Sequence, residues 1–202
     1  MFNLSISDYQ YRNLRLKACW HLAYYHPNKK PVGSLSNYII EFKDGNLNVI
    51  KKWAEWAGDQ LEEKEIQFDY IVRALGSQEI SPGENRPLDI LGEILANRLN
   101  AEYIPGLLGK KRATKPMHNL NLADRKAEIT NVYYANGGGL DLNNKNVIIL
   151  DDITTTTCTA GEIKRALKAK WPNVNLYLLC LGRTTRDEIA DEQICHNYFD
   201  IT

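Results

Sequence analysis

Residues 147–160 read VIILDDITTTTCTA, and the side chains able to do chemistry crowd into this stretch. Asp151 and Asp152 are adjacent. Ile153 follows, then Thr154, Thr155, Thr156, Thr157, Cys158 and Thr159. The preceding run, 146–150 (NVIIL), has no polar face and reads as a strand buried on both sides of a parallel sheet and ending at Leu150. A helical pattern begins near Ala160. In open parallel sheets, ligands lie beyond the carboxyl ends of the strands. A loop there that runs into a helix N-terminus offers free amide N–H groups and the positive end of the helix dipole to an anion. Threonine hydroxyls add uncharged donors for a phosphate. Carboxylates accept hydrogen bonds from sugar hydroxyls and would repel a phosphate beside them. One short loop thus has acceptors at one end and donors at the other, as a ribose 5-phosphate requires. Paired aspartates also occur in plain solvated turns and threonines in plain strands; it is the order strand, acids, hydroxyls, helix that argues for a ligand.

Several elements must position that loop. Residues 68–75 (FDYIVRAL) and 174–181 (VNLYLLCL) are further apolar strand candidates. Helical spacing runs over 88–99 with Pro87 suited to a first turn, over 161–170 before Trp171-Pro172, and over 49–61 with Trp53, Trp56 and Ala57 on one side. Strands alternating with helices predict an α/β fold, an open parallel sheet flanked by helices. Residues 110–125 are polar and basic without an apolar period and read as a long loop, and Gly137-Gly138-Gly139 as a turn. The expected division is an N-terminal capping or helical elaboration over 1–65 and an α/β core over 66–202, with the opening residues carrying no clear pattern.

Bulk composition narrows the function classes. The chain has 202 residues, 44% hydrophobic and 25% charged, enough for a core without covalent staples. Lys plus Arg and Asp plus Glu are 25 each, so the net charge is zero, which argues against a nucleic-acid-binding module. Cys19, Cys158, Cys180 and Cys195 form no CxxC pair, which leaves no zinc ribbon. No leader-like or membrane-spanning apolar run is present, and the expectation is a cytoplasmic protein with free thiols and no membrane partner.

The stretch 147–160 resembles the motif of type I phosphoribosyltransferases that binds phosphoribosyl pyrophosphate (PRPP): an apolar strand, two acids, two variable residues, two threonines, glycine, any residue, threonine. The resemblance places the ribose-binding acids at Asp151 and Asp152, and the 5-phosphate loop at Thr155, Thr156, Thr157, Cys158 and Thr159. Thr157 stands where the family has glycine, a residue that takes positive φ freely. A β-branched residue there is strained, so the loop either follows another path or binds phosphate differently. Over residues 38–183 the chain is similar to the ComF-like branch of the family. The carriers are 38–46 (YIIEFKDGN), the strand at 68–75, and 112–134 (RATKPMHNLNLADRKAEITNVYY), in which Thr114, Leu122, Arg125 and Val132 fall on expected positions and His118 or a neighbour replaces a glutamine. The branch's N-terminal zinc ribbon is missing; Cys19 and His21 are too few to replace it and read as packing residues.

The resemblance implies transfer of a phosphoribosyl group from PRPP to a nitrogenous acceptor. It implies Mg²⁺, which Asp151 and Asp152 would meet through water or ribose, and in many relatives a homodimer, for which Trp or Tyr near the N-terminus could serve. Residues 73–79 (RALGSQE) would form the diphosphate loop through the backbone of Leu75, Gly76 and Ser77, or else a simple strand-end turn. Lys110, Lys111, Arg112 and Lys115 would neutralise diphosphate if the 110–125 segment closes as a lid, with Arg112 and Lys115 joining Asp151 and Asp152 in catalytic roles, or would be a solvated face. Arg183 and Arg186 would contact the acceptor base or lie on the surface. Such a domain could instead bind a ribose phosphate without turnover, as a regulator or accessory protein linked to DNA uptake or signalling.

Overall fold

The structure, a computed structural model, describes residues 2–3, 14–27, 34–116, 120–185 and 198–199. Its strands are β1 (Phe2–Asn3), β2 (Ala18–Tyr25), β3 (Tyr70–Arg73), β4 (Glu102–Tyr103), β5 (Leu108–Lys110), β6 (Tyr133–Ala135), β7 (Asn146–Thr154) and β8 (Asn175–Thr184). Six of them form one sheet in the order β1-β2-β8-β7-β3-β4, in which only β1 runs antiparallel. The α-helices are α1 (Leu35–Lys43), α2 (Leu47–Glu62), α3 (Pro87–Leu99), α4 (Leu122–Ile129) and α5 (Cys158–Lys170).

Side-chain alternation along the central strands divides the core into two layers. Ile148 and Leu150 of β7 and Leu179 and Leu181 of β8 face α1, α2 and α3, meeting Ile39, Phe42, Trp53, Trp56, Leu91 and Leu95. Val147, Ile149, Leu176, Leu178 and Cys180 face the other way, against Ile163, Ala166 and Leu167 of α5. The expected open parallel sheet flanked by helices is therefore the observed fold. Local sequence sets the helix starts. Ser34, Asn46 and Asn121 each accept a first-turn amide of α1, α2 and α4, a cap worth about 1 kcal/mol. Pro87 opens α3, and Asn100 closes it in the left-handed region at φ 51°.

Three readings of local pattern are corrected. β7 does not end at Leu150 but continues to Thr154, because β8 pairs with it as far as Thr154↔Arg183. The acids thus sit on a strand rather than in a loop. Residues 110–125 are not loop throughout. Lys110 ends β5, which pairs with distant β6, and α4 begins at Leu122. Ile129 is the buried residue of α4, so no apolar period marked it. β3 is shorter than 68–75. Residues before 66 supply β2, parallel to β8 with Trp20 opposite Leu179, and two helices that share a core with α3. Trp20 is buried and stacks on Tyr177 at 5.6 Å. Cys19 is half-buried, and desolvation pushes its thiol up to about 12. His21 is buried with Nδ1 3.1 Å from Ala23 O, and burial pushes its pKa down to about 4. His118, Arg186 and Cys195 lie outside the described residues.

Candidate functional site

The acid pair follows from the register of β7. Asp151 stands opposite Cys180 of β8. Desolvation, with the adjacent Asp152 charge adding to it, pushes its carboxyl well above the usual carboxylate range. α1 ends beside Asp152, and the Lys43 ammonium lies 3.1 Å from Asp152 Oδ2. Burial works against the Lys43 charge, but the Asp152 and Asp151 carboxylates outweigh it and raise its pKa. The two acids are also braced by the backbone. Asp152 N donates to Asp151 Oδ1 at 3.0 Å and Ile153 N to Asp152 Oδ1 at 2.6 Å. Asp151 is therefore biased towards its neutral form, beside a carboxylate already paired with one cation.

Residues 155–157 bend from β7 into α5. Thr157 occupies the N-cap position at φ 58°, ψ 10°, the left-handed region, with no side-chain cap bond to the first turn of α5. Its hydroxyl donates instead to Thr156 O at 2.7 Å. Thr155 Oγ1 lies 2.8 Å from Thr184 Oγ1, joining the loop to the end of β8, and Thr156 Oγ1 donates to Cys158 Sγ at 3.2 Å. Cys158 and Thr159 are half-buried in the first turn. A positive-φ residue before a helix turns successive N–H groups to one side, an arrangement suited to an anion. The positive φ usual for glycine is thus retained, imposed on threonine.

The loop after β3 adjoins the acid pair. Ala74 N bonds Leu150 O at 2.8 Å, so Leu75 and Asp151 emerge side by side. Tyr133 caps Leu75, accepting from its N–H at 2.9 Å and approaching its carbonyl at 3.1 Å. Gly76 N donates to Glu79 Oε2 at 2.6 Å, and Gly83 N to Glu79 Oε1 at 3.1 Å. The same carboxylate takes the fork of Arg73, at 2.9 and 2.8 Å. Burial opposes the Glu79 charge, but Arg73 and the two amides prevail and pull its pKa down to about 2. Arg73 is 1% exposed and is also gripped by Asp89, which accepts from Tyr103 at 2.6 Å. Gly76 has no positive φ, and the described chain has no cis peptide. Ser77 O accepts from Thr114 N at 2.8 Å.

The basic run divides. Lys110 is buried, donating to Gly76 O at 2.8 Å, Ser77 O at 3.1 Å and Thr114 Oγ1 at 3.3 Å. Desolvation brings its pKa down to about 8. Lys111, Arg112 and Lys115 are exposed. Arg112 pairs with Glu128 of α4 at 2.7 Å, and Lys115 N donates to the same carboxylate at 3.0 Å. Arg183 is half-buried beside Thr154 in the strand register. The structure therefore sets the loop over Leu75, Gly76 and Ser77 beside Asp151, and leads β7 through Asp152 into the threonine loop, whereas the Arg112 side chain and the Lys115 amide are taken by Glu128 of α4. Lys43, Glu79, Arg73 and Tyr133 also belong to the site. Of these only Glu79 left a sequence signal, an acid three residues after a strand-end glycine.

No known family model matches the chain, and no curated protein matches it. Solved structures do. An adenine phosphoribosyltransferase is 17% identical, covering 74% of this chain and 90% of its own, with a TM-score of 0.45. The adenine phosphoribosyltransferase of Saccharomyces cerevisiae, complexed with an imino-altritol bisphosphate and adenine, is 17% identical over 74% of this chain and 98% of its own, with a TM-score of 0.43. A hypoxanthine phosphoribosyltransferase from Staphylococcus aureus is 15% identical over 82% of this chain and 73% of its own, with a TM-score of 0.40.

Proposed function

We propose that the chain binds a ribose 5-phosphate group at the carboxyl ends of β7 and β3. Asp151 and Asp152 take the sugar hydroxyls; the amides of Thr155, Thr156, Thr157, Cys158 and Thr159, with threonine hydroxyls, take the phosphate. The observation that carries this is the left-handed Thr157 at the mouth of α5: a strained residue kept where a helix start meets an acid-tipped strand. The resemblance to PRPP-binding motifs, ComF-like in its flanking segments, supports the same reading.

Two activities are compatible with such a site. In the first, the ligand is PRPP and a nitrogenous acceptor attacks ribose C1. The C1–O bond breaks with its electron pair leaving on diphosphate, the C1–N bond forms, and the acceptor nitrogen loses its proton. The chain's own residues would hold the ribose and orient C1, with rate arising from positioning and charge stabilisation. Mg²⁺, when bound, supplies charge neutralisation for the diphosphate. As direct ligands the acids fit it poorly, since Asp152 already faces Lys43 and Asp151 is biased towards its neutral form; their contact would run through ribose or water. In the second, a ribose phosphate binds without transfer, as in a regulatory or accessory protein. The second is favoured by the amides of Leu75 and Gly76, which are already engaged by Tyr133 and Glu79. The homodimer and a cytoplasmic location remain parts of this proposal; among the described residues, no helix is long and apolar enough to cross a membrane.

The test is calorimetric titration of ribose 5-phosphate into the wild-type protein and into Asp152→Asn. Affinity for the variant should fall about tenfold with the fold intact; an unchanged affinity removes Asp152 from the sugar.

A further inference from the structure

The geometry points to a site that accepts a pentose phosphomonoester and rejects a diphosphate, because Glu79 already occupies the anion position of the loop after β3. This rests on reading residues 151–159 as the ribose-phosphate cradle.

A ligand seated on β7 with its sugar at Asp151 extends a second anionic group towards the neighbouring strand end, where Leu75 emerges. Of the three amides read as the diphosphate loop, those of Leu75 and Gly76 are engaged, and so are the two cations beside them. The Gly76 amide and the Arg73 fork both close on Glu79, at 2.6 Å and at 2.8–2.9 Å. The remaining Arg73 N–H groups go to Asp89, Ala74 O and Gly83 O. The Leu75 amide is held by the Tyr133 hydroxyl at 2.9 Å, and the Lys110 ammonium points at the carbonyls of Gly76 and Ser77. Glu79 thus plays internally the part of the absent second anion: one carboxylate, two amides and a guanidinium form a finished anion site. A diphosphate brought there would meet a carboxylate in a partly buried setting, where like charges repel strongly. The two subsites differ in this respect. At the start of α5 the N-cap side chain makes no bond to the first-turn amides. That subsite can accept one phosphate, and the other subsite cannot.

Calorimetry on the wild-type protein separates the possibilities, using ribose 5-phosphate, inorganic pyrophosphate and PRPP, each with and without Mg²⁺. The expected result is that ribose 5-phosphate binds, pyrophosphate does not compete with it, and PRPP with Mg²⁺ binds about tenfold more weakly than ribose 5-phosphate. PRPP with Mg²⁺ binding as tightly as ribose 5-phosphate, or tighter, overturns the proposal while leaving the cradle in place. Failure of ribose 5-phosphate itself to bind removes the cradle and the selectivity together. Glu79→Ala, checked for folding by circular dichroism, supplies a second arm. It should shift the PRPP to ribose 5-phosphate affinity ratio about tenfold towards PRPP, and an unchanged ratio in the folded variant counts against Glu79 as the excluding group. If the variant does not fold, the wild-type titrations decide.

Discussion

Replacing Thr157 by glycine and, separately, by alanine measures the strain at the mouth of α5. Both changes remove the hydroxyl that donates to Thr156 O at 2.7 Å, so its loss cancels between them. What differs is the Cβ, held at φ 58°. A left-handed conformation costs a residue with a Cβ about 1–2 kcal/mol. Glycine escapes that cost but gives back about 0.4–1 kcal/mol through its freer unfolded chain. The balance leaves Thr157→Gly more stable than Thr157→Ala by about 0.5–1 kcal/mol. Against wild type, glycine should come out near zero, since it also forfeits the hydroxyl bond, worth about 0.5–1 kcal/mol. Equilibrium urea unfolding resolves this difference, provided the slopes of the transitions agree among the three proteins. The glycine protein should bind ribose 5-phosphate within about threefold of wild type, because it preserves the amide directions. Alanine matching or exceeding glycine in stability would refute the reasoning: the loop would then take another path, and its amides would not be aimed at an anion.

Two further outcomes test the scaffold. Against the opposing effect of burial, Arg73 and the two amides pull the Glu79 pKa down to about 2 from an ordinary 4.5, so its contribution to stability is complete above the unfolded pKa and is lost as pH falls from 4.5 towards 2. The size is on the order of 3 kcal/mol, so the stability gap between wild type and Glu79→Gln in urea should narrow across that window, and a gap independent of pH would contradict the assignment. Gly92 lies in α3 where a Cβ would strike the Tyr103 ring, while a Cβ on Gly106 meets nothing within 4 Å. Gly92→Ala should therefore lose about 1–2 kcal/mol despite its better helix propensity, and Gly106→Ala should stay within about 0.5 kcal/mol of wild type, both by thermal or urea melts.

Much of the fold was legible because the central elements carry local signals strong enough to act alone. The all-apolar, β-branched run before Asp151 reads as a strand buried on both faces, and Pro87 and the leucines after it define α3 without help from elsewhere. Elements whose stability comes from distant partners were not legible. β5 is a three-residue strand that exists because β6 lies beside it. β2 joins the sheet because β8 offers it an open parallel edge. α4 buries Ile129 and little else, so its hydrophobic period is too faint to read.

The sequence alone determined the ordering of chemistry along one segment: apolar strand, acids, hydroxyls, helix. It also marked Thr157 as the residue at odds with that segment's backbone. Tertiary structure decided what each charge faces. Lys43 comes from a separate helix to meet Asp152, Lys110 turns inward under the β3 loop, and Arg112 turns to α4. Glu79 folds back on Gly76 and Arg73. The reason is physical. Backbone preference and hydrophobic period are local properties that a short window contains. Electrostatic partnership depends on distance through space and on how much water is excluded, and both are set only when the sheet and its two helical layers have closed.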